Sequence, residues 1–287
     1  MTPWNICDKT VLITGATDGI GKAVARALAK RGAAVVLVSR DLQKGERIVR
    51  ELRKKNKNSR IEMIQCDLAQ LSRVAACAEE YRRRFSALHV LIHVAGVLSP
   101  VREESEDIET TMAVNYFAPV LLTELLLPLM KQSVPARIIN VTSSMHKNGV
   151  LDLANLKGRG PYDGSQAYAN SKLALMLYTL HLSRTLQGNG ITVNAVHPGW
   201  IRTKLAVGTE KARGLKQTLT SFFQMRPPWY GARSIVYLAA SPEADEINGA
   251  YIIKKRSADP KRNAQDSVLA EALVQKTRAV LGIHLFH

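Results

Sequence analysis

Tyr168 and Lys172 stand four residues apart in Tyr168-Ala169-Asn170-Ser171-Lys172, inside an apolar segment with helical periodicity. That spacing, just over one helical turn, brings both side chains to the same face. An ammonium beside a phenol favours the phenolate and lowers a pKa that is ordinarily about 10. A tyrosine so placed serves as a general acid or base near neutral pH. The same spacing also occurs on solvated helix faces, so the rest of the chain must supply a reaction for the pair.

A second motif supplies a ligand. Thr14-Gly15-Ala16-Thr17-Asp18-Gly19-Ile20-Gly21 follows a short apolar run and opens a helical pattern. Glycines in this context permit a tight turn and close backbone approach to a diphosphate, and the helix N-terminus offers unpaired N–H groups to the anion. Gly15, Thr17, Asp18, Gly19, Ile20 and Gly21 are the candidate contacts. The next apolar run ends in Val38-Ser39-Arg40. An acid in this region would hold the ribose 2′-hydroxyl of NAD, whereas Arg40 offers a guanidinium to the 2′-phosphate of NADP. Asp41 is a competing signal beside it.

These residues need a scaffold. Strand-like runs fall at 10–14, 34–39, 61–65, 88–94, 136–142, 191–196 and 250–253. Helical patterns fall between them at 19–31, 42–55, 71–85, 108–131 and 166–186, and later at 232–240 and 268–281. The alternation predicts an α/β fold: a single-domain, doubly wound parallel sheet (Rossmann-type) with helices on both faces. Residues 1–255 form the dinucleotide-binding and catalytic domain. Within it, 199–230 has no strand pattern and reads as a substrate lid, in which Leu205, Phe222, Phe223, Met225, Trp229 and Tyr230 suit an apolar pocket. Residues 256–287 form a C-terminal extension with an amphipathic helix.

Composition narrows the class. With 287 residues, 46% of them hydrophobic, the chain can bury a full core. Cys7, Cys66 and Cys77 are scattered, which argues for reduced thiols and against a disulfide framework or a zinc site; no metal is expected. No apolar run approaches the roughly 20 residues of a membrane span, and no leader or anchor is expected ahead of the first strand. The expected location is intracellular, cytoplasmic or peripherally membrane-associated, and not secreted. The net charge of +16 arises from 40 Lys+Arg against 24 Asp+Glu. The basic residues are dispersed and not interleaved with aromatics, which favours solvated helix faces over nucleic-acid binding and leaves weak membrane-surface attraction open.

Taken together, these motifs resemble those of the short-chain dehydrogenase/reductase family over residues 8–255. Beyond the glycine turn and the Tyr168–Lys172 pair, Cys66-Asp67-Leu68 matches the segment contacting adenine and Asn115 the catalytic asparagine. Ile139-Asn140-Val141-Thr142-Ser143-Ser144 matches the strand ending in the catalytic serine, and Pro198-Gly199-Trp200-Ile201-Arg202-Thr203 the segment closing over the nicotinamide. The segment 144–168, with Leu151-Asp152-Leu153, resembles the retinol-dehydrogenase-like branch.

The resemblance implies that Asn115, Ser144, Tyr168 and Lys172 are catalytic, with Ser144 preferred over its neighbour Ser143. It implies cofactor contacts from Asp67, Leu68, Ala95, Gly96, Tyr168, Lys172, Pro198, Gly199, Ile201 and Thr203. Tyr168 would exchange a proton with the substrate oxygen, Lys172 would lower its pKa and bind the nicotinamide ribose, and Ser144 would hold the oxygen. Pro119 has no N–H, so in a helix the Asn115 carbonyl loses its donor and becomes free for a water leading to Lys172. The family's Asn-Asn-Ala-Gly is here His93-Val94-Ala95-Gly96, which removes two amide side chains from the cofactor wall. His146 and His197 read as structural or substrate-lining. The implied activity is NADP(H)-dependent oxidoreduction of a lipophilic carbonyl or alcohol, such as a retinoid or steroid. The alternative is a cofactor-binding scaffold that has lost turnover. The family's habit of pairing two central helices between subunits implies a homodimer.

Overall fold

The computed structural model describes residues 4–58, 60–201 and 225–282. Strands form at short runs rich in apolar and β-branched residues: β1 Thr10–Thr14, β2 Ala34–Ser39, β3 Ile61–Gln65, in which Glu62 interrupts the run, and β4 Val90–His93. A short hairpin follows, β5 Glu104–Ser105 and β6 Ile108–Glu109. Then come β7 Ala136–Val141, β8 Ile191–His197, β9 Tyr251–Ile253 and β10 Arg256–Ala258. The helices are α1 Gly19–Ala29, α2 Leu42–Asn56, α3 Leu71–Arg84, α4 Thr110–Gln132, α5 Gly164–Thr185, α6 Pro228–Ala240 and α7 Ser267–Leu281. Aspartates fix several helix starts: Asp18, Asp41, Asp163 and Asp266 accept from N–H groups in the first turns of α1, α2, α5 and α7.

The main sheet has the order β10-β9-β8-β7-β4-β1-β2-β3, parallel except for the antiparallel β9–β10 edge. The chain moves outward from β1 to β3, returns to β4 beside β1, and continues outward on the other side. The reversal between β1 and β4 opens a crevice at the carboxyl ends of the strands, where such sheets bind ligands. One sheet face is covered by α1, α2 and α6 through residues such as Val24, Leu28, Leu52 and Ile235. The other is covered by α3, α4, α5 and α7, through residues such as Tyr81, Phe117, Leu177 and Leu273.

Two expectations change here. The helix expected from residue 108 begins at Thr110, because Ile108–Glu109 pairs as a strand, and it carries a π-helical turn at Ala113–Phe117. Ala118 N–H donates to the Ala113 carbonyl five residues back, so the ladder changes step just before the donor-less Pro119. The expectation of no membrane-length apolar stretch is also corrected. α4 has 23 residues and a mean hydropathy of 1.5, long and apolar enough to span a bilayer, but 83% of that window is buried within the protein as the central core helix. The stretch from 256 contributes β10 to the sheet and α7 to the core, where Ala270, Leu273, Val274 and Thr277 are buried.

Candidate active site

The glycine turn lies where β1 ends. Gly15 has φ +66°, and a Cβ on it would lie 2.8 Å from Ala95 Cα; one on Gly21 would lie 2.2 Å from the Gly15 carbonyl oxygen. Bare backbone is therefore required at both positions. The Thr14 hydroxyl accepts from the N–H groups of Val94 and Ala95 at 3.2 and 3.3 Å, which ties the ends of β1 and β4 together. The sequence places Thr14 at the head of the glycine motif but does not disclose this tie to β4. Thr17 lies in the turn, Asp18 caps α1 and pairs with Lys44 at 3.0 Å, and Gly19 and Ile20 form the first turn of the helix.

Arg40 is exposed at the end of β2. Asp41 is engaged as the cap of α2, accepting from Lys44 N–H at 2.9 Å, so the two neighbours have separate tasks. Beyond β3, the Asp67 carboxylate accepts from Ala69 N–H at 3.0 Å and Leu68 is half-buried. Beyond β8, Pro198 and Gly199 turn the chain, Gly199 with φ +89°, and buried Ile201 forms a bridge to Arg226. Thr203 and the lid residues Leu205, Phe222 and Phe223 lie outside the described residues. Of the remaining lid residues, Met225 is buried, Tyr230 is half-buried and Trp229 is exposed.

α5 presents Tyr168 and Lys172 on one buried face, with the Lys172 ammonium 5.6 Å from the Tyr168 ring centre. Lys172 Nζ donates to the Val141 carbonyl at 3.0 Å. Asn115, in the π-helical turn, accepts from Val97 N–H at 2.8 Å and donates back to the Val97 carbonyl at 2.9 Å. It also donates to Ser171 Oγ at 3.0 Å, and Ser171 donates to the Tyr168 carbonyl at 2.8 Å. A Cβ on Gly96 would lie 3.4 Å from Asn115 Oδ1 and 3.5 Å from Lys172 Nζ. The end of β4, the π-helical turn and α5 therefore converge on one point.

The serine that acts on the Tyr168 phenol is Ser143 rather than the expected Ser144: its side chain favours the phenolate. The chain leaves β7 extended through Ser143, φ −148° and ψ 155°, and only then turns into the 3₁₀ segment Ser144–Asn148. Ser143 therefore stays aligned with the strand end facing α5, while Ser144 is exposed.

The charge expectation changes as well. Burial pushes the Tyr168 phenol up to about 12, with the Ser143 side chain pulling the other way, and burial pushes Lys172 down to about 8. Desolvation is the leading cause of both shifts. At neutral pH the pair is a phenol that still holds its proton beside an ammonium.

The altered wall has its own ties. His93 is buried, its Nε2 is 2.9 Å from the Thr123 hydroxyl on α4, and burial, reinforced by the Lys172 charge, holds its pKa down to about 3. Its register partner Asn140 donates to the Thr179 hydroxyl on α5 at 2.9 Å. Thr123 takes over side-chain bonding at position 93, and Thr14 holds the Val94 backbone. His146 is structural, with Nδ1 2.7 Å from the Ser143 carbonyl and its ring edge-on to Tyr251. His197 is held neutral, its pKa pushed down to about 4 chiefly by burial. A cavity of about 240 Å³ beside the start of α5 is lined by Leu151, Leu156, Tyr162, Ala167 and Asn170, and Tyr168 is not among its walls.

Comparison with known proteins agrees with this arrangement in kind. A family model described as short chain dehydrogenase matches residues 9–214. Retinol dehydrogenase 13 of Mus musculus is 36% identical over 289 residues, covering 97% of this chain and 85% of its own length. Retinol dehydrogenase 12 of Bos taurus is 37% identical over 278 residues, covering 96% and 87%. Among solved structures, an uncharacterized protein from Mycobacterium Paratuberculosis has a TM-score of 0.80 at 28% identity, covering 100% of this chain and 98% of that one. L-Sorbose reductase from Gluconobacter frateurii, complexed with NADPH and L-sorbose, has a TM-score of 0.72 at 26% identity, covering 87% and 96%.

Proposed function

Because the chain belongs to the short-chain dehydrogenase family, in its retinol-dehydrogenase-like branch, we propose that it moves hydride between NADP(H) and a lipophilic carbonyl or alcohol. The observation that carries this reading is the convergence of Tyr168, Ser143, Lys172 and Asn115 beside Gly96. A binding scaffold that had lost turnover would have no use for such a set.

The residues fit a dinucleotide. Gly15 and Gly21 leave bare backbone for a diphosphate at the start of α1. Arg40 is available to a 2′-phosphate, and the reductase relative of solved structure carries NADPH. Gly96 leaves open the space between Asn115 and Lys172, where Lys172 can reach a ribose. The nicotinamide, when bound, supplies or accepts the hydride.

In reduction, Ser143 and Tyr168 both hydrogen-bond the carbonyl oxygen and fix its direction. Tyr168 gives its proton to that oxygen as the carbon takes hydride. The phenolate left behind is stabilised by the Lys172 ammonium, and Asn115 holds the wall and the helix at fixed separation. Oxidation runs the same proton transfer backwards. The substrate class rests on the two retinol dehydrogenase relatives. A homodimer through the central helices would have to accommodate α7, whose Thr277 bonds Tyr116 at 2.7 Å and whose Glu271 lies 3.4 Å from His181.

A carbonyl panel containing retinal, assayed with NADPH and NADH beside Tyr168→Phe, tests the reading. We expect NADPH-dependent reduction that the phenylalanine variant loses. Equal rates in both proteins would remove the mechanism, and preference for NADH would remove the role of Arg40.

A further inference from the structure

Residues 94–103, between β4 and β5, are neither helix nor strand, so their backbone groups depend on side chains for partners. Side-chain ties follow one another along the segment. Thr14 takes the N–H groups of Val94 and Ala95, and Asn115 takes both backbone groups of Val97. The Tyr162 hydroxyl then donates to the Ser99 carbonyl at 3.1 Å. Thr14 and Asn115 are already part of the site. Tyr162 stands on the approach to α5, and the proton transfer does not itself employ it.

Tyr162 is a node rather than a single bond. Its hydroxyl also lies 3.1 Å from Glu109 Oε1 and 3.3 Å from the Thr111 hydroxyl. The phenolic proton is shared between the Ser99 carbonyl and the Glu109 carboxylate, which only accept, so Thr111 donates to the phenolic oxygen. Burial raises the Tyr162 pKa, the Thr111 bond pulls it back and the Glu109 charge raises it again, so the phenol keeps its proton. Glu109 is itself fixed. It is 1% exposed, and its oxygens accept from the N–H groups of Thr111 and Met112 at 2.7 and 2.8 Å, where α4 begins. Gly164, in the first turn of α5, lies against the same carbonyl, and a Cβ there would collide with the Ser99 oxygen.

The node lies upstream of the working residues of both helices. Asn115 follows Glu109 by six residues, and Tyr168 follows Tyr162 by six. The wall proposed for the cofactor runs along the segment after β4, whereas the proton donor rides on α5. Asn115 joins the two at their inner end through Ser171. Tyr162, with Gly164 packed on Ser99, joins them at the outer end. We propose that Tyr162 is a positioning residue: through Ser99 it fixes the distance between the wall at Gly96–Val97 and Tyr168, and so between the hydride and the proton of one transfer. The clamp stands on geometry; its effect on turnover rests on the proposed oxidoreduction.

Tyr162→Phe keeps the ring and removes the node, and Gly164→Ala pushes the Ser99 carbonyl away by bulk. Hydrogen exchange of the full chain without cofactor reads the clamp directly. In Tyr162→Phe the amides within 97–101 should exchange about tenfold faster, as for one lost hydrogen bond, while those of β1 to β3 stay unchanged. Steady-state assays with NADPH and the carbonyl that the wild type reduces best read the consequence. Both variants should lower kcat per NADPH-binding site about tenfold, with KM for NADPH within about twofold. Counting only chains that bind NADPH removes any loss of folded protein. Unchanged exchange within 97–101, equal acceleration in β1 to β3, or wild-type kcat in both variants would each overturn the proposal. So would a raised KM for NADPH at unchanged kcat, because the node would then serve cofactor binding only. Faster exchange confined to 97–101, with no turnover by the wild type, would leave the clamp standing and count against the catalytic reading alone.

Discussion

Asn115 holds Val97 by both of its backbone groups, accepting its N–H at 2.8 Å and donating to its carbonyl at 2.9 Å. A side chain on the central helix thereby stands in for a strand neighbour, in a segment that has already left the sheet. Its third bond, to Ser171, carries the same restraint into α5. Asn115→Ala should lower the thermal midpoint by about 5 °C, since buried partners are left unmade. It should lower kcat more than it raises KM for NADPH. A variant with wild-type kcat would show that this clamp is only structural.

Ser143 and Ser144 give a paired test. Ser143→Ala should lower kcat/KM about 100-fold, because it removes a donor to the substrate oxygen. Ser144→Ala should stay within about threefold, as expected of an exposed residue away from the reacting oxygen. Comparable losses in the two variants would contradict the assignment.

The strands that support the site were plain in the residues: 10–14 and 34–39 are apolar runs, 61–65 a partly apolar one, and the structure reproduces the bounds of all three. The glycine turn was legible because its backbone conformation demands that residue type. The choice between two adjacent serines was not, because it depends on the residue at which the chain stops being extended after β7. The π-helical turn was half-legible: Pro119 removes a donor, but where the ladder changes step is set by packing. The net effect on Tyr168 was illegible, since spacing reveals a neighbouring charge and not the depth of burial that opposes it.

Lys172 fixes the pH dependence. Its pKa is pushed down from 10.5 to about 8, so the ammonium is lost as pH rises through about 8. Reductive kcat/KM should fall across that range. Lys172→Arg keeps its charge and should remove the descending limb, while Lys172→Met should be at least about 100-fold slower throughout. A wild-type profile that stays flat well above pH 8 would exclude this role for the ammonium.

His93 fixes part of the acid stability. Its pKa falls from an ordinary 6.5 to about 3 on folding, so between those values the unfolded chain binds more protons. The contribution is present above pH 6.5 and is lost as pH falls toward 3. His93→Asn should flatten this slope in urea titrations at pH about 7 and about 5. An unchanged slope would mean that other groups carry the acid transition.

Arg40→Ala should raise KM for NADPH by tenfold or so and leave KM for NADH nearly unchanged, because only the 2′-phosphate loses its partner. A parallel rise for both cofactors would place Arg40 elsewhere in the binding path.

The bond from Thr277 to Tyr116 joins residues 161 positions apart, and Tyr116 is next to Asn115. On the ribosome this sets an order of events. When residues 110–185 have emerged, α4 and α5 still lack the side chains of Leu273 and Val274 that complete their core. Synthesis must run about 90 residues further before that apolar surface can close. Until then the nascent chain carries an open hydrophobic seam beside its future catalytic centre.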